Sequence, residues 1–296
     1  MKILLVGATG KLGGAVAKVL AEQAMPFRCL VRKTADITQL RQLNPELVQG
    51  DVRDGAALAE AMAGIDAVIS SFTTRLPPKT AGDFWEVDYG GNLSLIRLAQ
   101  ANAVKKYIFV SYWGLAKFSN FEHGKVKKMV EDLLMVSGLD YTVFRVTTLA
   151  TDLVHLMGNN LKKRGFSPML MKREERVRPI LVEDLARCMV NALSNTNASR
   201  KIIEIGGEDE YTFEELRELY CKALGKNVRF IYLPLPLARF IAATVDYFTG
   251  DRYNAKGLVS AFSGGSTCDI TEAKKIFNIP FGNFRDYLMD YFAQRQ

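Results

Sequence analysis

Cysteine, histidine and long apolar runs are all scarce in this chain. Its 296 residues include 4 cysteines (Cys29, Cys188, Cys221, Cys268) and 2 histidines (His123, His155). The cysteines are far apart and no C-x-x-C spacing occurs, so neither a disulfide framework nor a Cys/His metal site organises the fold, and no metal is expected. All of these thiols are expected as buried small hydrophobes in a reducing compartment. No apolar stretch reaches the roughly 18 residues a membrane-spanning helix needs. The opening run Ile3–Val6 is too short for a signal peptide, and the cytoplasm is the expected location. Dense Lys/Arg blocks and nucleic-acid motifs are absent, so nucleic acid is not an expected partner.

What is present suits a globular protein: 48% of residues are hydrophobic and 24% charged. The net charge of +7 is modest for this length and fits an anionic ligand or surface. The length allows one large domain or two closely joined ones. Over the first 145 residues, short apolar runs alternate with stretches of helical spacing. The runs are Ile3–Val6, Phe27–Val31, Leu47–Gln49, Ala67–Ile69, Tyr107–Val110 and Tyr141–Phe144. Continuous apolar runs suit strands buried on both faces, and a β-α-β-α series with right-handed crossovers makes a parallel, doubly wound sheet. The expected fold is therefore α/β, a Rossmann-type sheet with a smaller, mainly helical C-terminal lobe. Residues 1–147 form the dinucleotide domain, completed by parts of 180–206, and 148–296 form the smaller lobe for substrate or partner.

The strongest local signal is the loop Gly7-Ala8-Thr9-Gly10-Lys11-Leu12-Gly13, between the first strand and a helix. Such a loop needs glycine for a tight turn, for close approach of backbone to a pyrophosphate and for helix packing against the strand. The helix N-terminus adds free N–H groups and a positive dipole end. Arg32 and Lys33 follow the second strand, where an acid would select NAD. Two cations there favour a 2′-phosphate, so NADP(H) is the preferred cofactor and NAD(H) the alternative. A solvated basic turn is the plainer account of the pair. Asp51 and Val52 follow the third strand on the adenine side, although Asp54 better suits a helix cap. Ser70, Ser71 and Phe72 follow the fourth strand, where their backbone would line the nicotinamide-side ribose.

These residues resemble the short-chain dehydrogenase/reductase superfamily, in its atypical NmrA-like and isoflavone-reductase-like branch. The carrying motifs are GATGKLG at Gly7–Gly13, LVRK at Leu30–Lys33 and GDVRD at Gly50–Asp54. They continue in Val87–Ser111, Val130–Arg145 and Pro179–Ala186. The resemblance implies a Ser followed by Tyr-x-x-x-Lys, in which Tyr donates a proton, Lys lowers its pKa and holds the ribose, and Ser orients a carbonyl. Ser111 matches the Ser and Lys127 the Lys; both would also touch cofactor, with Thr147 after the sixth strand. His123 stands in the Tyr position, and Asp88 where extended members often have Asn. Lys127, His123 and Tyr112 are the candidate acids and bases. The plainer alternatives are an exposed His123, a packed Tyr112 and a solvated Lys125–Lys128 run. The implied activity is NADPH-dependent reduction of a small to medium apolar carbonyl, quinone or conjugated alkene. The other reading is a silent NADP(H) sensor or complex-assembly factor.

In the second half, Thr212 and Glu215 make a capping box opening a helix that Gly225 ends. Residues 148–178 suggest a short helix and a connecting segment whose His155, Met157, Phe166, Met169, Leu170 and Met171 either wall an apolar pocket or pack the lobe. Leu233–Phe248 is apolar with one cation, Arg239. That favours packing over an interfacial membrane helix, leaving peripheral membrane contact as the lesser alternative. The lobe would meet a small-molecule substrate or a protein partner, in a monomer or homodimer.

Overall fold

The structure, a computed structural model, describes residues 1–74, 78, 80, 82–118, 121–170, 172–250 and 254–294. Strands β1 (Ile3–Val6), β2 (Phe27–Val31), β3 (Glu46–Gln49), β4 (Ala67–Ser70), β5 (Lys106–Tyr112) and β6 (Tyr141–Val146) alternate with helices α1 (Lys11–Glu22), α2 (Thr38–Arg41), α3 (Gly55–Met62), α4 (Gly91–Ala101) and α5 (Glu122–Val136). Then follow β7 (Thr148–Leu149), α6 (Ala150–Leu153), α7 (Asn159–Arg164), β8 (Phe166–Met169), β9 (Arg176–Val177), β10 (Pro179–Ile180), α8 (Val182–Asn191) and β11 (Lys201–Ile205). The chain closes with β12 (Tyr211–Thr212), α9 (Phe213–Leu224), β13 (Arg229–Tyr232), α10 (Leu235–Thr249), α11 (Ala255–Phe262), α12 (Thr271–Phe277) and α13 (Phe284–Ala293).

Seven parallel strands form the central sheet in the order β11-β6-β5-β4-β1-β2-β3. β1, β2 and β4 are buried along their whole length, as their unbroken apolar runs require. Side chains alternate between two cores. Ile3 and Leu5 pack with Val16 of α1, Met189 of α8 and Ile276 of α12. Leu4 and Val6 pack with Leu58 of α3, Leu95 of α4 and Val130 of α5. The strand order reverses between β1 and β4, which opens a crevice at their carboxyl ends. This is the α/β, doubly wound Rossmann fold expected from the sequence. A further core belongs to the second lobe, where Leu153, Leu161, Leu216, Tyr220, Leu288 and Phe292 meet.

Three expectations are corrected. Residues 148–178 hold more structure than a short helix: α6, a π-helical turn over Val154–Gly158 and α7 run on continuously, and β8 pairs in parallel with β13. Met157 and Met169 are buried in the lobe's own core, while His155 and Phe166 are exposed. Leu170 packs under α10. Met171 lies outside the described residues. Second, Cys29 and Cys188 are buried, but Cys221 and Cys268 are only partly so. Third, most of the large side chains of α10 are not packed. Its inward face carries the small or polar Ala238, Ala242 and Asp246, one helical turn apart, and Asp246 accepts hydrogen bonds from the Ala255 and Lys256 N–H groups. The bulky residues therefore point outward, with Phe240 71%, Tyr247 83% and Phe248 79% exposed. Among the described residues no helix is long and apolar enough to cross a membrane.

The capping box is present as read: the Thr212 hydroxyl accepts from the Glu215 N–H, and the Glu215 carboxylate accepts from the Thr212 N–H at 2.7 Å. Replacing Thr212 with Ala should lower unfolding free energy by about 1 kcal/mol. Urea denaturation checks this, and cofactor affinity should not change because α9 lies outside the crevice.

Candidate cofactor and active site

Gly7 leaves β1 with φ +97°, a conformation that side chains resist. A Cβ there would stand 2.6 Å from the Phe72 nitrogen, so only hydrogen lets the first turn touch the segment after β4. A Cβ on Gly13 would stand 2.1 Å from the Gly7 carbonyl oxygen, which is the close helix–strand packing the motif predicts. The Gly10 N–H donates to the Gly7 carbonyl at 3.0 Å. α1 then starts on Gly10 with no side-chain cap and no acid in its first turn. Its leading N–H groups thus keep no side-chain acceptor and present a positive dipole end. Ala8, Thr9, Lys11 and Leu12 fill the turn and the start of α1 between these glycines, and Lys11 Nζ reaches Asp152 of α6 at 3.4 Å. Uncapped donors, missing side chains and the absence of acid together fit a pyrophosphate.

Around this loop the remaining cofactor candidates vary in what holds them. Arg32 and Lys33 are exposed and make no ion pair among the described residues. Asp51 is taken up by Arg53, at 2.8 Å and 3.3 Å, while Asp54 caps α3 as the sequence suggests. Val52 and the Phe72 ring lie against Gly91, whose missing side chain makes their room. The Ser70 hydroxyl is buried and bonded to Asn92 Oδ1 at 2.7 Å, and the Ser71 hydroxyl to the Val6 carbonyl at 3.0 Å. The Thr147 hydroxyl bonds the Arg178 carbonyl at 2.6 Å. These hydroxyls hold the rim of the crevice together. A separate groove of about 560 Å³ lies between α1, α2 and α8 on the outer side of the loop. It touches Ala8–Lys11 but not Ser111, Tyr112, His123 or Lys127.

Those four come together at the carboxyl end of β5. His123 and Lys127 lie one turn apart on α5, with Glu131 a turn further, and all three are buried. Glu131 is held by Arg145 of β6 at 2.6 Å. Opposite them is Asp88, which sequence reading marks only as a departure from Asn. A π-helical turn over Phe84–Gly90 carries it, and it has no exposed surface. Asp88 Oδ1 lies 3.0 Å from His123 Nε2 and 3.6 Å from Lys127 Nζ. It accepts from the Thr73 hydroxyl at 2.7 Å, and its Oδ2 accepts from the Thr74 N–H at 2.9 Å. Tyr112 Oη lies 3.1 Å from His123 Nδ1. The exposed-histidine alternative is thereby overturned, and of Lys125, Lys127 and Lys128 only Lys127 is buried.

Burial alone would raise the Asp88 pKa, but the His123 hydrogen bond and the Lys127 charge outweigh it and hold the carboxyl well below its usual range. Burial lowers the His123 and Lys127 pKa values more than Asp88 raises them. Burial also pushes the Tyr112 phenol up, and Asp88 adds to that. The Ser111 hydroxyl is buried and lacks a hydrogen-bond partner among the described residues, an arrangement native interiors rarely tolerate without a ligand or a role. Ionised carboxylate, imidazole, amine, phenol and a spare hydroxyl can together move a proton and polarise a carbonyl. Among the described residues no cluster of His, Cys, Asp and Glu could hold a metal ion.

A family model described as NAD(P)H-binding matches residues 7–196. The chain is 26% identical over 303 residues to the photosystem II assembly factor Ycf39 of Trieres chinensis, covering 99% of this chain and 93% of that protein. It is 25% identical over 237 residues to an NAD(P)H azoreductase of Xenophilus azovorans, covering 80% and 79% respectively. An NADPH-dependent quinone oxidoreductase of Escherichia coli, solved with NADPH, superposes with a TM-score of 0.75 at 19% identity, over 99% of this chain and 100% of that one. At that identity the likeness speaks for the fold.

Replacing Gly13 with Ala should weaken NADPH binding at least tenfold and lower stability by about 1–3 kcal/mol, because backbone, not a flexible side chain, must give way. Calorimetric titration and thermal melts check both effects.

Proposed function

The chain belongs to the NAD(P)H-binding family, and from that premise we propose that it is an NADPH-dependent reductase of a small to medium apolar carbonyl, quinone or conjugated alkene. The observation that carries the reading is the buried Asp88–His123–Lys127 cluster, reached directly from the cofactor loop through Phe72 and Thr73. Burying ionisable groups costs several kcal/mol each before their partners offset it, and active sites are where such groups cluster. Bound NADPH supplies a hydride. The Gly7–Gly13 loop and the N-terminus of α1 hold its pyrophosphate, and Arg32 and Lys33 meet its 2′-phosphate. The Ser111 hydroxyl, without a partner among the described residues, donates to the acceptor oxygen. Lys127 lends positive charge near the ribose and the reacting centre.

One observation favours a second reading, an NADP(H)-binding assembly factor. The exposed apolar face of α10 suits a protein partner, and full-length relatives such as the Trieres chinensis protein are named as assembly factors. Turnover separates the two readings. The reductase should oxidise NADPH with at least one member of a quinone and aldehyde panel, and Lys127→Ala should lower kcat by about 100-fold or more. Tight NADPH binding with no acceptor turned over would decide for the assembly factor. NADPH should also bind at least about tenfold more tightly than NADH, by charge-assisted bonds that Arg32→Ala removes. Equal dissociation constants by calorimetry would sink the NADPH assignment.

A further inference from the structure

Tyr112, His123 and Asp88 stand in a row, phenol to imidazole to carboxylate, at 3.1 Å and 3.0 Å. The imidazole is held on its faces and edges. Phe84 stacks on it with ring centres 4.6 Å apart, and Phe121 and Tyr112 meet it edge-on. An ionised carboxylate can only accept hydrogen bonds, and the Thr73 hydroxyl, 2.9 Å from Nε2, donates its proton to the same Asp88 oxygen, so Nε2 between them must carry its own proton. Nδ1 then offers a lone pair to the Tyr112 hydroxyl. The same logic orients the histidine of hydrolase triads: the acid fixes the tautomer and stabilises the imidazolium.

We propose that Asp88 is a positioning residue that fixes His123 with its proton on Nε2, so that Nδ1 exchanges a proton with Tyr112 and Tyr112 exchanges it with the substrate. The proposal rests on the reductase reading and names the acid within it. In reduction the substrate carbon gains a hydride, two electrons and a proton's mass, from NADPH. The substrate oxygen gains the Tyr112 proton as the Tyr112 O–H bond breaks. Protonated His123 returns a proton from Nδ1 to the phenolate and is left neutral. Oxidation of the corresponding alcohol runs each transfer backwards.

The charged groups facing the imidazole are Asp88 on the π-turn and Lys127 on α5, while Asp152 of α6 acts on Tyr112. Burial, aided by Lys127, keeps His123 below the ordinary histidine value of 6.5. Reduction starts from the imidazolium and should speed up as pH falls towards that lowered pKa. Oxidation starts from the neutral ring and should lose rate over the same interval.

With only 2 histidines, heavy-nitrogen labelling resolves both rings by NMR in the cofactor-free protein, with exposed His155 as reference. The expected spectrum near neutrality shows His123 protonated on Nε2 alone. Asp88→Asn should mix the tautomers and lower the His123 pKa further; Tyr112→Phe should keep the tautomer and move the Nδ1 resonance. A wild-type ring protonated on Nδ1, or a His123 spectrum untouched by Asp88→Asn, overturns the proposal. If Asp88→Asn does not fold, the Nδ1 shift in Tyr112→Phe decides. In turnover, Tyr112→Phe should lower kcat by about 100-fold or more with NADPH affinity unchanged. Full kcat in that variant overturns the relay. An inert wild-type protein with the expected His123 spectrum instead overturns the reductase reading, while the spectrum supports Asp88 as the group that orients the ring.

Discussion

Asp88 is ionised and touches no solvent, and a carboxylate in that position survives only if donors and positive charge surround it. The neighbours it recruits come from two other parts of the chain. Thr73 and Thr74 lie on the segment after β4, His123 and Lys127 on α5, and Asp88 itself on the π-turn before α4. One charge thus ties the sheet's central strand to two helices that pack on the same face. Take the charge away and buried Lys127 loses its one ion-pair partner among the described residues, keeping only the more distant charge of Glu131. The cluster behaves as a unit whose members cannot be changed singly without consequence.

The crevice grows outward from that point in two directions. Towards the cofactor, Thr73 follows Phe72, and the backbone of Phe72 sits where a side chain on Gly7 would have to be. Towards the sheet edge, the polar stripe of α5 runs from His123 through Lys127 to Glu131, roughly 12 Å along the axis. It ends in the Arg145 pair, which fastens α5 to β6. Loop geometry and charge pairing therefore constrain one another, because Phe72 abuts Gly7 and the next residue, Thr73, bonds Asp88.

Much of this could be read from sequence because it is local. The unbroken apolar runs become strands, Asp54 and Thr212 cap the helices they precede, and Gly7 and Gly13 stand where a Cβ would collide. What escaped reading is non-local. Asp88 looked like a mere departure from Asn because its partners lie 14 to 39 positions away in the chain. His123 looked as fit for the surface as for the site, since burial depends on Phe84 and Phe121 closing over it. The β8–β13 pair joins segments more than 60 positions apart, with no pattern of its own to announce it. The outward aspect of α10 did leave a trace: Ala238, Ala242 and Asp246 recur at helical spacing, so the narrow side of an apolar helix was the one that could fit against α11.

The π-helical turn sets how this site can change over time. A π turn holds one more residue than the α turn it replaces, so loss of any single residue within Phe84–Gly90 would let the segment relax to ordinary α-helix. Each residue advances an α-helix by about 100°. The side chain then presented to His123 and Lys127 would be a neighbour of Asp88, and the carboxylate would have to be supplied from that neighbouring position. An insertion or deletion within Phe84–Gly90 would thus change which side chain meets His123 and Lys127, without altering any residue of α5 itself.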